Sequence, residues 1–166
     1  GSARISITPS GKVGIGITDP VSLLTVRRND TATTSQLTVE QDSTGDSTLE
    51  FLLTGTRAWL MGIDNSDSDK FKISSDGTGV ETATKLTIDT SGNVGIGTSI
   101  PSQLLHLSSS ASNELKMQVG PGMASSITFT DGTDTWGIGM RSSTDNFVIA
   151  EELGVTGTER FVIKKT

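Results

Sequence analysis

The sequence predicts an all-β fold built from two tandem repeats, and three observations predict it. Apolar residues alternate with polar ones in short runs, the spacing of half-buried strands. A glycine-rich segment occurs twice: residues 11–26 read GKVGIGITDPVSLLTV and residues 92–107 read GNVGIGTSIPSQLLHL, 81 positions apart. The composition is poor in large side chains, with 33% hydrophobic and 4% aromatic residues, 19 Gly, no Tyr and no Cys. A repeat of about 80 residues so composed buries little apolar surface alone, so identical chains are expected to associate.

The strands follow in order. Ile5 and Ile7 form the first, Pro9-Ser10-Gly11 turns the chain, and Val13, Ile15 and Ile17 form the second. Leu37 and Val39 alternate next, then Leu49, Phe51 and Leu53, then Trp59, Met61 and Ile63, then Phe71 and Ile73. Thr54-Gly55 and Asp76-Gly77 mark turns between these runs. The second repeat restates the series. Leu86 and Ile88 answer to Ile5 and Ile7, Val94 and Ile96 to Val13 and Ile15, and Leu115 and Met117 to Leu37 and Val39. Phe129 answers to Phe51, the run Trp136, Ile138, Met140 to Trp59, Met61, Ile63, and Phe147 and Ile149 to Phe71 and Ile73. Small deletions between the runs shorten the spacing to 78 at Leu37 and Leu115 and to 76 at Phe71 and Phe147, where loops tolerate them. The division is residues 1–84 and 85–166, with Gly1-Ser2 a tag remnant and the whole expected to be cut from a longer repeating protein. The only helical signal is a Pro followed by Leu-Leu, at Pro20 to Leu24 and Pro101 to Leu105, enough for one turn. Hairpins and meanders of short antiparallel strands are expected, in an elongated assembly.

Gly14, Gly16, Gly95 and Gly97 alternate with Val13, Ile15, Val94 and Ile96. One face of each glycine strand is therefore bare, which suits close approach of another backbone, that of a neighbouring chain included.

Several function classes fall away. A formal net charge of −6 opposes a nucleic-acid surface, which needs clustered Lys and Arg. No apolar run is long enough for a membrane-spanning helix and no signal peptide is evident. Without Cys there are no disulfides, zinc thiolates or thiol nucleophiles. The GxxGxG at Gly11 to Gly16 and Gly92 to Gly97 is not a phosphate-loop pattern, and no long helix follows it. Glu151 and Glu152 are adjacent, so on a strand they point to opposite faces and cannot act as a carboxylate pair. No catalytic residue and no cofactor are expected.

Three binding candidates remain, each beside a plainer reading. Asp64, Asp67 and Asp69 offer oxygen ligands to a cation, but the glycine and terminal glutamate of a calcium loop are missing, and a solvated hairpin loop is favoured. The equivalent stretch, Arg141 to Asn146, has lost most of the carboxylates, so these loops read as replaceable. His106 would meet its symmetry mates at a threefold axis and hold a metal there, although packing beside Leu105 and Leu107 is the simpler role. Trp59 and Trp136 would stack on sugars if exposed, but both sit in apolar period-two runs, which favours core or subunit interface.

The segment TIDTSGNVGIGT at residues 87–98, followed by Pro101 and Leu105-His106-Leu107, resembles the "GNVGIGT…P…LHV" repeat of bacteriophage tail fibre and related virion appendage proteins. Trp136-Gly137-Ile138-Gly139-Met140 and Asp145 to Ile149 resemble the intervening strands of that family. The first copy departs from the pattern, with Asp19 before Pro20 and Thr25 in place of His106. The resemblance implies an intertwined homotrimeric fibre, extracellular and part of the virion, in contact with other tail fibre segments and with host cell-surface polysaccharide. It also implies that such repeats often precede an endosialidase-type intramolecular chaperone, which has no counterpart in this sequence. The expected role is a structural segment that presents a receptor-binding tip. A glycan-binding surface adhesin module is the alternative, and a glycan-cleaving spike fragment a distant third.

Overall fold

The computed structural model describes residues 5–31, 33, 35–112, 114–118, 125–130, 135–140, 147–151 and 158–163. Among these, thirteen strands form three sheets. The first sheet joins β1 (Ile5–Ile7), β2 (Val13–Ile15) and β3 (Leu24–Val26) in that order. The second runs in sequence order through β4 (Ser47–Leu53), β5 (Arg57–Asp64), β6 (Lys70–Ser74), β7 (Thr84–Ile88), β8 (Val94–Ile96) and β9 (Leu105–Leu107). The third holds β10 (Ser125–Thr130), β11 (Thr135–Met140), β12 (Phe147–Glu151) and β13 (Thr158–Ile163).

The sequence repeat is also a repeat of register. Ile5 lies opposite Ile15 and Ile7 opposite Val13, as Leu86 lies opposite Ile96 and Ile88 opposite Val94. Phe51 pairs with Trp59 and Phe129 with Trp136. The irregularity between Ile73 and Ser74, where β6 meets β7, returns between Ile149 and Ala150, where β12 meets β13. Packing divides the chain elsewhere, into units Gly1–Ala111 and Ser112–Thr166. Residue 85, where the second repeat begins, falls inside β7, and β7 pairs with β6 of the first repeat.

Two features differ from the expected hairpins. β2 and β3 are parallel, as are β8 and β9, and only residues 16–23 and 97–104 connect them. Parallel neighbours ordinarily need about a dozen connecting residues or more. The short crossover works because Gly16 and Gly97 leave the strand at φ 73° and 75°, turning the chain at once. The Pro-Leu-Leu segments are bends, and the one helical turn among the described residues is Asn65–Asp67.

The glycine motif packs against its own chain. A Cβ on Gly97 would fall into the carbonyl of Ser108, and one on Gly16 into that of Arg27. The backbone is drawn in there by bonds from Ser108 N to Ile96 O and from Arg27 N to Ile15 O. A Cβ on Gly95 would stand 2.6 Å from the carbonyl of Thr98, and one on Gly14 would meet that of Ile17. The crossover thus folds back onto the bare face of the strand it leaves.

Alternation then gives the six-stranded sheet two unlike faces. On one lie Ala58, Leu60, Gly62, Asp64, Lys72, Ser74, Thr87 and Gly95, as their register pairings require. The chain's own loops cover this face. A Cβ on Gly77 would be 2.9 Å from the Ala58 Cβ, Ser74 Oγ donates to Gly79 O at 2.9 Å, and Thr98 and Pro101 stand over Gly95. Val80 of the same loop is fully buried. The opposite face carries Leu49, Phe51, Trp59, Met61, Ile63, Phe71, Ile73, Leu86 and Ile88, and none of these is buried.

Two expectations follow for stability. Gly92 and Gly97 both have positive φ, but a Cβ on Gly92 has nothing within 4 Å. Gly92→Ala should cost about 1 kcal/mol of conformational strain, whereas Gly97→Ala adds a backbone clash and should cost clearly more in urea melts. Ser6 Oγ donates to Ile17 O at 2.6 Å, while the hydroxyl of its repeat counterpart Thr87 is buried without a partner. Thr87→Val should therefore leave stability unchanged or raise it by up to about 1 kcal/mol in the same melts.

Candidate functional surface

The open apolar face is the most prominent surface of the described residues. Trp59 is 43% exposed and Phe51 beside it 58%; Trp136 and Phe129 repeat the pair at 41% and 58%. Six strands spaced about 4.8 Å apart and some five residues long, at about 3.3 Å each, present a flat area of roughly 400 Å². A patch of that size is comparable to the largest on a typical monomer, which is often functional. At one end, a shallow cavity of about 460 Å³ is lined by Phe51, Leu52, Leu53, Arg57 and Trp59. The second unit has the same polarity: Ile127, Ile138 and Met140 are exposed, while Val148 and Ala150 on the other face are fully buried.

Asp64 is not part of a solvated loop. It is fully buried at the end of β5, where its side chain caps the turn Asn65–Asp67. Its Oδ1 accepts from Asp67 N at 3.1 Å and from Ser66 Oγ at 2.7 Å, and its Oδ2 accepts from Lys72 Nζ at 2.7 Å. Lys72 Nζ, itself buried on β6, also meets Asp67 Oδ2 at 2.6 Å. Lys70 Nζ completes the network, donating to Asp67 Oδ1 at 2.7 Å and to Ser99 O at 3.0 Å on the β8–β9 crossover. An ammonium therefore stands where the sequence suggested a metal cation.

The protonation equilibria follow from this geometry. Burial works against the Asp64 carboxylate, but the hydrogen bonds from Lys72 and Ser66 and the lysine charge outweigh it and hold its pKa below the ordinary aspartate value. Asp67 is lowered chiefly by the hydrogen bond from Lys70 and then by that from Lys72. Burial likewise opposes the charge on Lys72, yet the hydrogen bonds it donates to Asp64 and Asp67 leave its pKa raised.

The remaining candidates do not converge. Asp69 accepts a long bond, 3.4 Å, from Asn65 Nδ2 and does not join the lysines. His106 lies opposite Gly95, on the other face from Leu105 and Leu107, and its Nδ1 accepts from Ser102 N at 3.4 Å. Among the described residues no three His, Cys, Asp or Glu side chains come together as a metal site. Gly14, Gly16, Gly95 and Gly97 hold the crossovers in place, as described above, and Arg141 to Asn146 lie outside the described residues apart from their sequence.

Sequence reasoning missed Lys70 and Lys72 as partners of the aspartates, and Gly62 and Gly139 as close contacts. A Cβ on either glycine would strike the carbonyl of Ser47 or Ser125 on the adjoining strand. Their signal was present: both occupy the same place after the conserved-in-repeat tryptophans, in WLMGI and WGIGM. Comparison with known proteins gives no matching family model and no matching curated protein.

Removing one member of the buried pair should be far worse than removing both. Lys72→Val leaves the Asp64 charge buried and should cost about 3 kcal/mol, and adding Asp64→Asn, which keeps the cap, should recover most of that loss. Because the folded pKa values of Asp64 and Asp67 are depressed, their contribution is complete above the ordinary value of 3.8 and is lost as pH falls through the folded values. Chemical denaturation between pH 7 and pH 2 checks the sign: the acid-linked part of the stability loss should shrink in the double variant.

Proposed function

We propose that the chain is a structural segment of a phage tail fibre or comparable virion appendage, a homotrimer that extends and presents a receptor-binding tip. The observation that carries this reading is the duplicated two-faced sheet. The six-stranded sheet has loops of its own chain over its polar face and none of the described residues over its apolar face. The sheet of the second unit likewise buries Val148 and Ala150 on one face and exposes Ile127, Ile138 and Met140 on the other. A sheet of this kind gains its missing core from copies of itself, and repetition of register from one repeat to the next gives the interface a continuous pattern. The resemblance of residues 87–107 to tail fibre repeats supplies the threefold stoichiometry and the location in the virion.

A second reading is supported by one observation. The half-exposed Trp59 and Phe51, beside Arg57 and the shallow cavity, have the aromatic and cationic character that sugars stack on. An adhesin module would use that end of the sheet to bind glycans. The same aromatics recur at Trp136 and Phe129 in the same register, which suits a repeating interface better than a single binding site.

Sedimentation equilibrium separates these readings. The fragment should be a trimer whose melting midpoint rises with concentration, because folding and association bury the same face. A compact monomer with concentration-independent melting overturns the proposal. On a glycan array the assembled fragment should bind nothing, and a positive array with a properly formed trimer moves the reading to the adhesin.

A further inference from the structure

Each repeat contains a segment that alternates like a strand but has no ladder. Residues 35–41 place Leu37 and Val39, 67% and 47% exposed, at alternate positions of a stretch that belongs to no strand. Residues 114–118 do the same with Leu115 and Met117, 62% and 41% exposed. The polar residues between and around them differ, so the shared feature is the alternation itself. Both segments are followed by a strand, β4 and β10, that ends its sheet in the order of the described strands.

A chain could close each pair on itself as a hairpin, and no such ladder is present among the described residues. Ser47 Oγ donates to Val39 O at 2.6 Å, which brings the end of the segment to the start of β4, yet no ladder continues from there. Instead a cavity of about 470 Å³ opens between the segment and the sheet, lined by Thr38, Val39, Ser47 and Ile63 among others. Ile63 belongs to the open apolar face, so the segment borders the surface assigned above to neighbouring copies. β4 is a poor edge to leave bare: it is seven residues long, and Glu50 is its one charged residue.

We infer that residues 35–41 and 114–118 are strands that pair between copies of this chain, the segment of one copy adding to the outer edge of β4 or β10 in the next. The backbone of the segment, which belongs to no ladder among the described residues, supplies donors and acceptors to the edge, and Leu37 with Val39, or Leu115 with Met117, extends the shared apolar face. This inference rests on the trimer reading and names the strands that interlock it.

Amide hydrogen exchange of the whole chain, measured assembled and after dilution to dissociated chains, tests it. Amides of residues 37–40 should exchange at least about tenfold more slowly in the assembly than in the dissociated chain, with the β5–β6 hairpin as internal reference. Thr38→Pro, which removes a ladder donor, should weaken assembly at least about tenfold, while Thr38→Val, which keeps the N–H, should not. An assembly whose residues 37–40 exchange at the unstructured rate overturns this inference and leaves the trimer standing. So does equal protection in dissociated chains, which would mean an intrachain hairpin, or unchanged assembly of Thr38→Pro. Failure of the parent chain to assemble at all overturns the trimer reading and this inference with it.

Discussion

A β-sheet has two faces, and in the six-stranded sheet the described loops of this chain cover only one. The loop of residues 75–83 and the crossover of residues 97–104 both fold over the face that carries Gly62, Gly95, Ser74 and Thr87. Small side chains on that face are what let the loops come so close. Among the described residues nothing covers the other side. Burying a large apolar side chain fully is worth about 1.5–3 kcal/mol, so a row of half-exposed Leu, Ile, Phe and Trp leaves much of that stabilisation unrealised in a single chain. The proposed trimer follows from that shortfall, because association and folding then draw on the same surface.

The glycine motif solves a different problem, reversal of chain direction in very little length. Asp89 accepts from Ser91 N and Asn93 N at 2.9 Å each and from Asn93 Nδ2 at 3.0 Å, so the Asp-Thr-Ser-Gly-Asn stretch is a side-chain-stabilised turn into β8. In the first repeat Thr8 Oγ1 takes that part, accepting from Lys12 N at 3.1 Å. β8 then lasts three residues before Gly97 turns it, and the parallel return to β9 is held over Gly95. Each glycine thus answers to a particular carbonyl of its own chain. Contact with a neighbouring chain is not needed to account for any of the four.

Most strand positions, the apolar registers and the repeat were legible in the sequence, since period-two alternation is a direct print of the pleat. β3 and β9, however, begin within the stretches where a helical turn was expected, and Leu37 with Val39 and Leu115 with Met117 alternate without forming strands. The parallel crossovers were not, because eight residues fall below the usual length for such a connection and a hairpin is the default for so short a link. Alternation also identifies an apolar face without saying whether a single chain can cover it. The aspartate network escaped notice for a related reason. Lys72 and Ser74 alternate with Phe71 and Ile73, and polar residues opposite an apolar face read as solvated. Here the polar face is the buried one, so the lysine is inside and needs Asp64 and Asp67 to carry its charge.

The two repeats together show what that network contributes. Val148 stands in the second repeat where Lys72 stands in the first, and Ala150 where Ser74 stands, and all four are buried. The same strand position therefore accepts an ammonium or an isopropyl group, and the strand pairings around it are unchanged. Such an exchange is expected if desolvation of the charges nearly cancels their attraction, as it commonly does for buried pairs. Net stability is then a poor explanation for keeping the lysines. Position is a better one: Lys72 ties β6 to the end of β5, and Lys70 carries the tie on to Ser99, on a crossover that belongs to the next repeat. A hydrophobic pair would fill the same space without fixing which carbonyl it meets. The charged network makes the junction between the first repeat and the second a matter of specific hydrogen bonds, at the one place where a segment built from repeated units must hold its register.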